Sequence, residues 1–133
     1  MRIVLALLLF ALGSIWSPQA GAEPGPLQGA WSQIASNAGD CPDCRVSIER
    51  NGSDLIVRAN NGWSAVVQPE PNGVAAIGAG TWKPNFGGSY GGRPFKLHLG
   101  IVQGKLLMIM TVPWPDGSTR QIKATFKQIM LVG

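Results

Sequence analysis

Two cysteines stand three positions apart in Asp40-Cys41-Pro42-Asp43-Cys44, the most reactive pair this chain offers. A C-x-x-C pair does redox work when it opens a helix whose N-terminus lowers the thiolate pKa. Here the pair precedes Arg45 to Arg50, which alternates like a strand, with no βαβ pattern around it. The spacing therefore reads as a structural disulfide across a very short loop. A closed zinc site needs four ligands. The single histidine, His98, is far away in sequence, and only Asp40 and Asp43 lie near the thiols. No metal or cofactor is expected. His98 falls mid-strand on the more polar face beside Lys96, with no acid placed locally to orient it, so a Ser-His-Asp system has no support. Most acidic residues sit in or near turns, and no pair is set for acid–base work. These residue types point away from an enzyme. Asn51-Gly52-Ser53 matches a glycosylation acceptor, but its tight-turn reading already accounts for it.

Function must then follow from what positions the remaining unusual residues. Residues 1–22 read as a cleavable secretory leader: Arg2 gives a positive start, Ile3 to Leu12 is apolar, and Ala20-Gly21-Ala22 offers small residues at the cut. The expected location is secreted or periplasmic. The chain from 23 to 133 suits one domain and holds no further apolar stretch long enough for a membrane helix. The formal charge is +4. Its cations are scattered along strands as a solvated face, which does not indicate nucleic-acid binding.

Eight short alternating runs follow, about 30–34, 45–50, 54–60, 63–68, 74–82, 95–102, 105–112 and 119–128, separated by turn signals. Asn51-Gly52 suits a type I′ turn. Pro69 to Gly73 interrupts any ladder, because proline has no N–H to donate. The fifth run is rich in Ala and Gly, which means close packing, a bend, or space left for something else. Across Gln103-Gly104, Leu97 should face Met110 and Leu99 should face Met108. The expected fold is all-β: an eight-stranded antiparallel up-and-down barrel in a single domain after the signal peptide, with a two-sheet sandwich as the alternative.

Such a barrel sends alternate connections to opposite ends. With the first strand running upward, the lower connections are short. The upper end receives the Cys-Pro-Asp-Cys loop, Asn60 to Gly62, the long Lys83 to Pro94 loop and Pro113 to Ser118. It also carries Phe86, Tyr90 and Trp114 on loops and Trp63 and Trp82 at strand ends. Binding sites favour such mouths. Trp63 and Trp82 either cap the core or line the mouth. Met108 and Met110, pointing inward, either pack or adapt to a ligand. Trp114, between two prolines, is expected to be a contact residue.

Gly29-Ala30-Trp31 at the start of the first strand resembles the opening motif of lipocalins and the wider calycin group, and avidins begin similarly. The resemblance implies that Trp31 plugs the closed end, with Lys127 as the nearest match for the basic residue stacked on that Trp. Small secreted bacterial metalloprotease inhibitors, compact eight-stranded barrels with a Gly-x-Trp start and a disulfide, are also similar.

The expected function is an exported, non-enzymatic binding protein. It either holds a small, partly apolar ligand between the fifth strand and Met108/Met110, or acts as an inhibitor or adaptor that presses the mouth loops, or Glu23 to Leu27, against a protein. Leu107 and Ile109 lie on the outward face, where they either form a homodimer interface or are covered by Met130-Leu131-Val132.

Overall fold

A computed structural model describes residues 25–130, so residues 1–24, which hold the expected leader and the start of the Glu23 to Leu27 segment, and the last three residues, Leu131 and Val132 among them, lie outside the described part. Eight strands follow in order: β1 (Gly29–Ser36), β2 (Arg45–Asn51), β3 (Asp54–Ala59), β4 (Trp63–Pro69), β5 (Ala75–Trp82), β6 (Pro94–Val102), β7 (Lys105–Pro113) and β8 (Thr119–Gln128). Each pairs antiparallel with the next, and β1 pairs with β8 to close the barrel. Closure removes every open strand edge.

Period-two alternation decides which residues fill the interior. Val46, Ile48, Leu55, Val57, Leu97, Leu99, Leu106 and Phe126 point inward and are buried, and no polar or charged side chain among the described residues is buried with them. An eight-stranded barrel is narrow enough for side chains to fill it. The β6–β7 register places Leu97 opposite Met110, Leu99 opposite Met108 and Val102 opposite Lys105, as the alternation requires.

Two local expectations are corrected, and one left open is decided. The β2–β3 turn is centred on Gly52-Ser53, not Asn51-Gly52. Asn51 pairs with Asp54, and Gly52, with φ 67, takes the first central position alone, which matches a II′ turn. Pro69 does not lie outside the ladder. It ends β4 opposite Ala76, where a missing N–H costs little. The small residues of β5 serve close packing and leave no space. A Cβ on Gly78 would fall 2.6 Å from the Val67 Cα, and one on Gly80 would fall 2.7 Å from the Ala65 Cβ.

The lower end is plugged. Trp31 is 2% exposed, and its indole N–H donates to the Leu27 carbonyl at 3.0 Å. Leu27 is buried beside it. Lys127 does not stack there. It is exposed on the outer face in register with Ser32, while Gln128 is the residue aligned with Trp31. Alternation forces this, because Phe126 is inward and its neighbour must point out.

Candidate functional site

The upper end is shaped first by an irregularity in β1. The β1–β8 register shifts between Gln33 and Ala35, a bulge at the barrel rim, where bulges commonly re-aim a strand. Past it, Asn37 imitates a strand residue. Its N–H donates to the Lys123 carbonyl, its side-chain amide donates to the Gln121 carbonyl, and its Oδ1 accepts from the Lys123 N–H. The chain is thus held against β8 before it turns into the cysteine loop. Cys41 and Cys44 are disulfide-bonded, with Cα atoms 5.3 Å apart. Asn60 fixes the far side of that loop: its Oδ1 accepts from Arg45 N–H and its amide donates to the Asp43 carbonyl, each at 2.8 Å.

Between this loop and the opposite wall lies a recess of about 180 Å³. Trp63, Trp82, Met108, Met110, Ile122 and Phe126 give it apolar walls and floor, and Asp40, Arg45 and Asn61 give it a polar rim. Cys44 is buried, so the disulfide forms part of the wall. From β5 only Trp82 reaches the recess; the expectation that the fifth strand forms one whole side is corrected by its packing on β4.

The other half of the mouth is closed by the β5–β6 loop, which is tied down throughout. Lys83 N–H donates to Gly62 O, Gly92 N–H to Trp82 O, Trp82 N–H to Arg93 O, and Arg93 N–H to Tyr90 O. Its one helical piece is a 3₁₀ turn at Gly88–Tyr90. This turn stacks Tyr90 on Trp82 with centroids 5.9 Å apart. Tyr90 then meets Trp114 edge-on at 5.5 Å. Below, Trp63 contacts Trp82 at 6.5 Å and Phe95 at 5.6 Å. One aromatic chain therefore runs from the core to the rim.

The rim end of that chain carries positive charge. The Arg93 and Arg120 guanidinium carbons lie 4.0 and 4.1 Å from the Trp114 ring centroid, a favourable cation–π contact. Nearby, Asp116 is held below its ordinary pKa because the Ser118 hydroxyl and N–H both donate to its carboxylate, with Arg120 adding a small attraction.

Four expected site residues, Trp63, Trp82, Met108 and Met110, meet in the recess. Tyr90 and Trp114 are half-buried and extend the aromatic chain away from it, and Phe86 is exposed on the loop with the Lys83 ammonium 5.6 Å from its ring. Trp82 is 6% exposed, and its indole nitrogen is the one buried side-chain polar atom among the described residues without a partner. Sequence reasoning missed Asp40, Arg45 and Asn61 at the rim. Of the three only Asn61 carries a sequence signal, the Asn60-Asn61-Gly62 turn, whose first residue braces the cysteine loop. His98 lies outside this region, exposed on the outer wall between Ile77 and Ile109.

The chain matches no protein-family model. It also matches no curated protein.

Proposed function

We propose that the protein is an exported, non-catalytic binding module that holds a small, partly apolar molecule in the recess at the open end of its barrel. The observation that carries this reading is the recess itself, with its apolar floor and polar rim. An apolar cavity of about 150 Å³ is enough to take benzene, so the occupant is of single-ring size. The two methionines in the floor suit it, because thioether side chains adapt their rotamers to what they touch. Native mass spectrometry of protein purified from its own host tests the proposal. A retained small molecule, lost from a Met110→Trp variant that fills the recess, is the expected result. Empty protein that also takes up no single-ring probe on titration would overturn it.

The second reading, a protein-binding inhibitor or adaptor, draws on the rim: Phe86 is exposed, and Trp114 sits with two arginines. Trp and Arg are the side chains that most often anchor protein interfaces. Leu27 adds nothing to it, being committed to the lower plug. A pull-down from the host that loses its partner on Trp114→Ala, with no small molecule in the recess, would favour this reading.

A further inference from the structure

The outer wall formed by β5 to β8 differs in charge from the rest of the barrel. After Glu70 the sequence holds a single acidic residue, Asp116, and it lies in a loop. None of these four strands contains Asp or Glu, and their outward positions include Lys96, Lys105, Lys123 and Lys127. Lys105 and Lys127 flank the Leu106–Phe126 pair on the same side, so the register sets two lysines opposite each other across β7 and β8. Like charges directly opposite in a sheet are destabilising, and no carboxylate on these strands offsets them.

Amid these lysines the wall carries a group of exposed aliphatic side chains. Ile77, Leu107 and Ile109 are 44%, 38% and 37% exposed. The register sets them side by side: Ile77 and Ile109 flank His98 in one row, and Leu107 lies beside Gly100 in the next. Met130, the last described residue, does not cover them. Ile129 N–H donates to the Ala30 carbonyl, so the chain leaves β8 on the β1 side, and Met130 is 82% exposed.

We propose that this wall docks the protein on an anionic phospholipid surface. Aliphatic side chains enter the headgroup boundary while lysines around them reach the phosphates. The choice of cation supports a membrane over a protein partner. Lysine is a flexible point charge that suits a diffuse anionic surface, and its long stem lets the ammonium stay in the polar layer. Protein interfaces instead enrich Arg and aromatic residues and deplete Lys. In this half of the chain both arginines, Arg93 and Arg120, are at the mouth on Trp114. A second copy is disfavoured as well, since a two-fold contact presents the same patch on both sides and would bring lysines against lysines.

The test is vesicle flotation of protein made from the full sequence, with phosphatidylcholine vesicles that contain or lack a third of phosphatidylglycerol. Every variant carries the same N-terminus, and intact mass shows whether the apolar leader remains, so leader-driven binding cancels. Lys105→Gln with Lys127→Gln is compared with Arg50→Gln with Arg58→Gln, which removes equal charge from the opposite wall. The wild type should bind the anionic vesicles, weakly at high salt. The lysine pair should lose about thirtyfold in binding and melt no earlier than wild type, while the arginine pair should stay within about twofold. Leu107→Ser with Ile109→Ser should also weaken binding severalfold. No binding to anionic vesicles would overturn the proposal, and so would equal losses from the two charge pairs. Wild-type binding by the serine variant would also overturn it, by removing the apolar contact. Stronger binding of soluble poly-glutamate, at matched charge, than of vesicles would overturn it in favour of an acidic protein partner.

Discussion

Trp31 and Trp114 occupy opposite ends of the barrel and differ in what their rings touch. Trp31 fills the lower end, with its N–H satisfied by the Leu27 carbonyl. Truncating a packed tryptophan costs on the order of 3–5 kcal/mol, so Trp31→Ala should drop the melting temperature sharply or prevent folding. Trp114 is half-buried against the core through Tyr90 and two arginines. From its place between prolines alone it reads as a projecting loop tip whose loss would not be felt. The structure changes that expectation. Trp114→Ala should cost about 1–2 kcal/mol, measurable as a modest fall in the same thermal melt. At Asp116 the native turn favours the ionised carboxylate. A lowered folded-state pKa means the turn's contribution is present above the unfolded pKa and is lost as pH falls through the folded value. Carboxyl NMR should show Asp116 titrating below an ordinary aspartate, and Ser118→Ala should move that midpoint up.

At the level of elements, the cysteine loop and the β5–β6 loop divide the mouth. The disulfide closes so few residues that chain entropy assigns it at most about 2 kcal/mol. Asn60 and Asn37 hold the same loop from both sides. Cys41→Ala with Cys44→Ala should therefore leave the fold intact and lower stability only slightly, whereas Asn60→Ala, which removes both side-chain bonds, should cost a comparable amount or more. Denaturant titration of the two variants compares them directly. Both loops show where the sequence was readable and where it was not. Alternation alone placed Met108 and Met110 inward, because a strand has only two faces. It did not place Arg45 at the recess or swing the cysteine loop over the opening, because those depend on a register shift at Ile34 and on asparagine side chains acting as backbone. Such substitutions leave no periodic trace. The Ala- and Gly-rich fifth strand shows a different limit, since small residues announce closeness without saying whether a ligand or a neighbouring strand is what comes close.

At the scale of the whole molecule, the barrel has two separate surfaces of interest. The recess opens at one end, between the loops. The lysine wall runs along the side, over β5 to β8. If the wall lies against a bilayer, the barrel axis runs parallel to it and the recess stays open to solvent. Ligand uptake by wild-type protein should then be the same on anionic vesicles as in solution, within about twofold, when a single-ring probe is titrated in each condition. A larger change would mean that the two surfaces are energetically coupled.

The seam where the first strand meets the last has a consequence for how the protein comes into being. Trp31 and Gln128 are neighbours across it, so the two ends of the domain must find each other before the outer edges of β1 and β8 are sheltered. Contacts this distant in sequence make for slow folding, on the millisecond-to-second scale. A chain emerging N-terminus first cannot close the seam until β8 has also emerged. Up to that moment β1 and its partners are a growing sheet with two bare margins, exposed to whatever else is folding nearby. The protein therefore commits to its shape only once β8 has emerged, and a chain stopped short of Thr119 should be recovered as aggregate or proteolytic fragments and not as a seven-stranded barrel.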